Sequence, residues 1–117
     1  FENSFEFKKT RGLGIIKGKV KYFPKNRNLL VPHVGWNKIS FKKEISKFKD
    51  VDNKDFYFIH SLLCDPVEKN SVLTNTTYGD LSFCSSIFTK NLFATQFHPE
   101  KSGAAGIKLI NQMRNFI

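Results

Sequence analysis

Leu92-Phe93-Ala94-Thr95-Gln96-Phe97-His98-Pro99-Glu100-Lys101-Ser102 is the stretch that decides the fold. Leu92 to Phe97 reads as a strand, and Pro99 sets its own φ near −65° and biases His98 towards an extended conformation. Ser102 is a good N-cap for the segment after it. Ile107, Ile110, Met113 and Ile117 recur at helical spacing, so Gly103 to Phe116 is expected to form an amphipathic helix. A strand therefore runs through a His-Pro-Glu turn into a helix. In an extended segment residues i and i+2 project to one side. Glu100 is thus expected to reach one ring nitrogen of His98 and leave the other free to take a proton. A base with its orienting carboxylate is two thirds of a nucleophilic triad.

Upstream, the pattern is mostly strand. Val20 to Phe23 alternates, and Pro24 to Asn28 is a loop. Trp36 to Phe41 is extended, and Glu44 to Phe48 is expected to be a short surface helix. Asp55 to Leu63 is a continuous apolar run that reads as one buried strand, ended by Asp65-Pro66. Val72 to Tyr78 and Leu81 to Thr89 flank Gly79-Asp80 as a hairpin. Strands closed by one helix, without repeated βαβ units, are awkward as a complete α/β domain and are expected to form the back half of one.

With 117 residues the chain fits a single domain. Its 19 Lys and Arg against 10 Asp and Glu give a net charge of +9. These charges are dispersed, and the group around Lys42, Lys43, Lys47 and Lys49 is interrupted by Glu44 and Asp50, so neither a nucleic-acid nor a membrane partner is expected. No apolar run approaches the ~18 residues of a membrane helix. Cys64 and Cys84 lie in no zinc or C-x-x-C spacing and are expected as buried free thiols of a reducing cytosol. Three histidines without clustered acidic or cysteine neighbours give no metal site, and no cofactor is expected. Arg11-Gly-Leu-Gly14 lacks phosphate-loop spacing; its glycines are turn residues.

Thr95-Gln-Phe-His-Pro-Glu-Lys-Ser102 resembles the triad signature of class I glutamine amidotransferases. Pro32-His-Val-Gly-Trp-Asn37, Phe56-Tyr-Phe-Ile-His-Ser61, Tyr78-Gly79, Asn91-Leu-Phe93 and Gly106-Ile-Lys-Leu-Ile-Asn111 resemble segments of the glutaminase subunits of imidazole glycerol phosphate synthases. The resemblance runs from Phe1 to Ile117. It implies an α/β, flavodoxin-like class I amidotransferase fold, of which residues 1–117 would be the C-terminal part of one domain. The family's nucleophile lies in a Gly-x-Cys-x-Gly segment that would precede Phe1. A domain divided there is expected to expose an unpaired sheet edge.

By the same resemblance, His98 would be general base and then general acid, and Glu100 would hold its tautomer. Glu6, Ser61 and Leu62 would contact substrate glutamine, Leu62 through backbone only because the family commonly has tyrosine there. Trp36, Tyr57 and Lys101 would face a (β/α)₈ barrel cyclase in a cytoplasmic heterodimer serving histidine biosynthesis. For Glu6 the competing expectation is a solvated helix face, and for Trp36 a place in the core. Neither native cysteine is expected to replace the missing nucleophile. His60 and Cys64 are four apart along a strand, about 13 Å, and Cys84 is mid-strand without a helix N-terminus to lower its pKa. Residue order leaves two other functions open: a paralogous subunit for surface-polysaccharide sugar amidation, and a non-catalytic remnant or basic binding module.

Overall fold

A computed structural model of the chain describes residues 1–25, 28–42 and 46–115. The strands are β1 (Asn3–Ser4), β2 (Thr10–Arg11), β3 (Gly18–Tyr22), β4 (His33–Lys38), β5 (Ser40–Phe41), β6 (Asp55–His60), β7 (Leu62–Pro66), β8 (Val72–Tyr78), β9 (Leu81–Thr89) and β10 (Leu92–Thr95). One α-helix, α1 (Gly103–Arg114), closes the described chain. Eight strands form a large sheet in the order β2-β1-β3-β7-β9-β8-β5, with β10 also on β9. β4 and β6 form a separate two-stranded ribbon. Pairing is antiparallel except between β1 and β3.

The hairpin β8–β9 has the expected boundaries, because two runs rich in β-branched and aromatic residues meet at a Gly-Asp turn. The run from Asp55 to Leu63 does not form one buried strand. It holds two strands that bend at Ser61, where the chain leaves the ribbon and enters the large sheet as β7. Asp65 and Pro66 belong to that second strand, opposite Lys19 and Gly18. Trp36 to Phe41 likewise divides at Ile39, passing from β4 to β5. Apolar content marked these stretches as extended, but it carries no information on which sheet each half joins.

Alternation along the ribbon sets its two faces. His33, Phe56, Phe58 and His60 are buried, whereas Val34, Trp36 and Ile59 are exposed. The buried side meets Phe23, Phe83, Phe97 and Leu109 in one core with Ile39, Phe48, Val51, Leu63 and Leu73. Ring pairs Phe56–Phe97 and Phe58–Phe97, at 4.7 and 5.7 Å between centroids, anchor the end of the β10 segment against β6. Phe97 therefore fixes the residue that follows it, His98.

In α1 the inward side is Gly106 and Leu109, with Ala105 and Met113 packed against the core. Ile107 is 62% exposed, so the stripe drawn through it is displaced. Ile117 lies outside the described residues. Gly106 explains the displacement: a Cβ there would run into the Pro99 carbonyl, so this turn of the helix abuts the chain just after His98. The segment expected as a helix from Glu44 is a 3-10 turn over Ser46–Phe48, whose Phe48 is buried, while Glu44 and Ile45 lie outside the described residues. Among the described residues no helix is long and apolar enough to cross a membrane.

Candidate active site

The chain leaves β10, passes Phe97 and turns through a 3-10 helix at Pro99–Lys101. His98 precedes this turn with extended backbone, φ −105° and ψ 93°. Its Nδ1 lies 2.8 Å from Glu100 Oε1. The contact does not arise from strand alternation: the 3-10 turn folds Glu100 back beneath the ring. A carboxylate on Nδ1 makes that nitrogen the donor, so neutral His98 carries its lone pair on Nε2. Among the described residues nothing hydrogen-bonds Nε2. The imidazole contact, the backbone N–H of Glu100 itself and the charge of Lys101 hold the Glu100 carboxyl below the usual range. Both side chains reach solvent. The pair is thus an oriented base at an accessible surface.

The free edge of β6 carries this turn. His98 N–H donates to the Tyr57 carbonyl at 2.9 Å. Tyr57 also sits across the ribbon from Trp36, their ring centroids 5.9 Å apart. Trp36 is 56% exposed and lies outside the core. Val34 and Ile59 extend the same face as the next register pair, giving an apolar strip beside the His98 turn. Lys101 is exposed on that turn.

The expected substrate contacts are more scattered. Ser61 is half-buried at the bend between β6 and β7. Leu62 opens β7, and its carbonyl already accepts a 2.8 Å bond from His60 Nδ1. Glu6 is not on a helix: it occupies an exposed bend after β1. The next residue, Phe7, donates its N–H to the Tyr22 hydroxyl at 3.0 Å, and Tyr22 stands opposite Leu62 in register.

Cys64 and Cys84 face each other in register across β7 and β9. Both are half-buried rather than buried. Burial pushes the Cys64 thiol up, and pushes Cys84 to about 11. At neutral pH both stay protonated, which is the wrong state for attack. Cys64 Sγ is instead 3.8 Å from Gln96 Oε1. Among the described residues no three His, Cys, Asp or Glu side chains gather as metal ligands.

Two groups escaped the sequence reading. Ser102 is one: it stands at the N-cap, yet its hydroxyl makes no cap bond and is directed to β6 and His98 instead. The other is a buried chain in which His60 Nδ1 binds the Leu62 carbonyl, His60 Nε2 meets His33 Nδ1 at 2.9 Å, and His33 Nε2 meets Asn37 Oδ1 at 2.7 Å. Asn37 Nδ2 then donates to the Thr77 carbonyl. Both ends are carbonyl oxygens. Two neutral rings carry two N–H protons for the three contacts between the Leu62 carbonyl and Asn37 Oδ1, so one contact of the chain lacks a proton, and the ring tautomers decide which. Burial lowers the pKa of both rings, opposed by the Asn37 contact for His33 and the Leu62 contact for His60. Paired histidines on facing strands were visible as letters, but only the register unites them.

A protein-family model described as glutamine amidotransferase class-I matches residues 14–113. The chain is 42% identical over 115 residues to the imidazole glycerol phosphate synthase subunit HisH of Chlorobium luteolum, covering 97% of this chain and 55% of that protein. The subunit of the same name from Aquifex aeolicus is 44% identical over 115 residues, with 97% and 54% covered. That of Pyrococcus furiosus is 42% identical over 115 residues, with 97% and 58% covered. The chain spans about half the length of the curated relatives it matches.

Proposed function

The chain belongs to the class-I glutamine amidotransferase family, and from that premise we propose that it carries the histidine–carboxylate part of a glutamine-hydrolysing site. The 2.8 Å bond between His98 Nδ1 and Glu100 Oε1 carries the proposal, because it leaves Nε2 as the available base. On this reading the nucleophilic thiol is neither Cys64 nor Cys84, whose pKa values burial raises. Residues 1–117 are, on this reading, the C-terminal part of one amidotransferase domain.

The chemistry follows from the tautomer. His98 Nε2 takes the thiol proton, and the thiolate attacks the carboxamide carbon of glutamine. The resulting imidazolium is stabilised by Glu100 and returns its proton to the departing nitrogen as ammonia leaves. A thioester remains, and water activated by the same Nε2 hydrolyses it to glutamate. A positioned acid–base group of this kind is worth about 10²–10⁴ in rate. Acyl transfer through a thioester calls for no cofactor.

By this reading Ser61, the Leu62 backbone and Glu6 contact the substrate glutamine; the bend at Glu6 is tied through the Phe7–Tyr22 hydrogen bond to the strand opposite Leu62. Trp36, Tyr57 and Lys101 face a barrel cyclase that receives the ammonia in a cytoplasmic heterodimer. Delivery between subunits matters because ammonia is mostly ammonium in neutral water, and the cation is no nucleophile. The relatives' shared name favours the imidazole glycerol phosphate route over sugar amidation.

The test is glutamate release by the complete protein with the cyclase present. His98→Ala should abolish most of it. Undiminished release by that variant would refute the assignment.

A further inference from the structure

Around His98 a closed ring of hydrogen bonds forms on the free edge of β6. The Tyr57 carbonyl accepts from His98 N–H at 2.9 Å. Tyr57 N–H donates to Ser102 Oγ at 3.0 Å. Ser102 Oγ–H donates to the His98 carbonyl at 2.6 Å. That carbonyl also accepts from Lys101 N–H at 3.0 Å, inside the 3-10 turn. A strand edge normally offers its N–H and C=O to another strand. Here a single side-chain oxygen supplies the acceptor that backbone would otherwise give.

We infer that Ser102 is a positioning residue for the site, its hydroxyl fixing the His98 backbone to β6 so that the imidazole meets Glu100. Three observations converge on this. The hydroxyl has forgone the capping bond that serine normally makes at this position, and both its donor and its acceptor capacity go to the hydrogen-bonded ring. Ser102 is 3% exposed, so water does not replace it readily. The helix packs closely behind it, since a Cβ on Gly106 would approach Ser102 Cβ to 2.9 Å. Without it the Tyr57 amide loses its acceptor and the turn is held to β6 by one bond fewer. The inference extends the proposed glutaminase reading and depends on that reading only for its kinetic consequence.

The experiment reads Glu100, whose carboxyl titration registers the His98 contact directly. Carbonyl-carbon NMR of the complete protein, labelled at glutamate, should give a Glu100 titration midpoint below the ordinary 4.5 of glutamate. In Ser102→Ala the midpoint should rise towards that value. In a His98→Asn background the Ser102→Ala change should add nothing, because the two act through one contact. An unchanged midpoint in Ser102→Ala, or an additive double variant, overturns the inference. The His33 and His60 ring signals report whether each variant is folded. Should Ser102→Ala fail to fold, the unaltered chain decides: Tyr57 N–H must exchange slowly with solvent, and exchange as fast as in exposed loops overturns the inference. In the complete enzyme Ser102→Ala should lower kcat by up to about 10²-fold with KM nearly constant. Loss of the glutaminase reading would remove this kinetic arm alone and leave the Glu100 titration standing.

Discussion

His33 and His60 occupy facing register positions of β4 and β6, with Nδ1 and Nε2 2.9 Å apart. Phe58, Tyr78 and Phe83 surround the first ring, and Phe23, Phe58 and Phe83 the second. No carboxylate touches either ring among the described residues. A proton added here is therefore stabilised only by neutral partners.

Stability should consequently fall in mild acid. Burial sets both folded-state pKa values below the ordinary 6.5. A histidine shifted down binds protons more readily when unfolded, so its contribution is complete above the unfolded value and is lost as pH drops below it. The thermal midpoint should decline between about pH 7 and pH 5. A level midpoint across that interval would contradict the assignment of a neutral buried pair.

His98 and Glu100 should not be equivalent under mutation. His98→Ala removes the base and should reduce glutamate release by about 10²–10⁴-fold in the complete enzyme. Glu100→Gln keeps a hydrogen-bonding oxygen beside Nδ1 but loses the charge that steadies the imidazolium, so a smaller loss is expected. Steady-state kinetics on the two variants measures the difference, and equal or reversed losses would count against a base steered by its carboxylate.

Neither thiol should matter to turnover. Cys64→Ser and Cys84→Ser should retain glutaminase activity in the complete enzyme, because burial keeps both thiols protonated at neutral pH. Alkylation of Cys84 in the chain should be slow at neutral pH and accelerate as pH approaches about 11. Rapid modification near neutrality would show a thiolate that the site geometry does not provide.

Trp36→Ala should separate binding from folding. Its ring is 56% exposed and stands beside Tyr57 on the outer face of the ribbon. Truncation should leave the thermal midpoint almost unchanged while weakening the cyclase complex by about 2 kcal/mol, as for a tryptophan anchor at an interface. Titration calorimetry of the complete protein against the cyclase gives the number. An unaffected affinity would move the partner surface elsewhere.

Phe58→Ala should do the opposite. Phe58 is fully buried and packs on Phe83, Phe97 and His33. Deleting such a ring costs about 3–5 kcal/mol. Urea unfolding should show that loss, and one under about 1 kcal/mol would mean the core collapses around the gap.

Much of this was legible in residue order. His98 and Glu100 were legible as a pair, but extended alternation is the wrong geometry for it: a 3-10 turn at Pro99–Lys101 makes the contact. The β8–β9 hairpin was plain, since strand-forming runs on both sides flank a Gly-Asp turn. Glu6, by contrast, rests as a substrate contact on family likeness alone, because an exposed bend carries no local motif for that role. Ser102 was read correctly for position and wrongly for bonding, because capping is the local use of serine and the β6 edge is a distant competitor.

Local interactions, then, are what the sequence by itself determined: the strand–turn–helix order around His98, the hairpin, the start of α1, and the carboxylate available to the imidazole. Tertiary structure alone decided that the Asp55 to Leu63 run divides between two sheets, that His33 meets His60, that Trp36 faces outward, and that Ser102 clasps His98. Each of these depends on register between segments far apart in the chain. Such pairings are selected by the summed burial of both partners' faces, a quantity that no single segment contains.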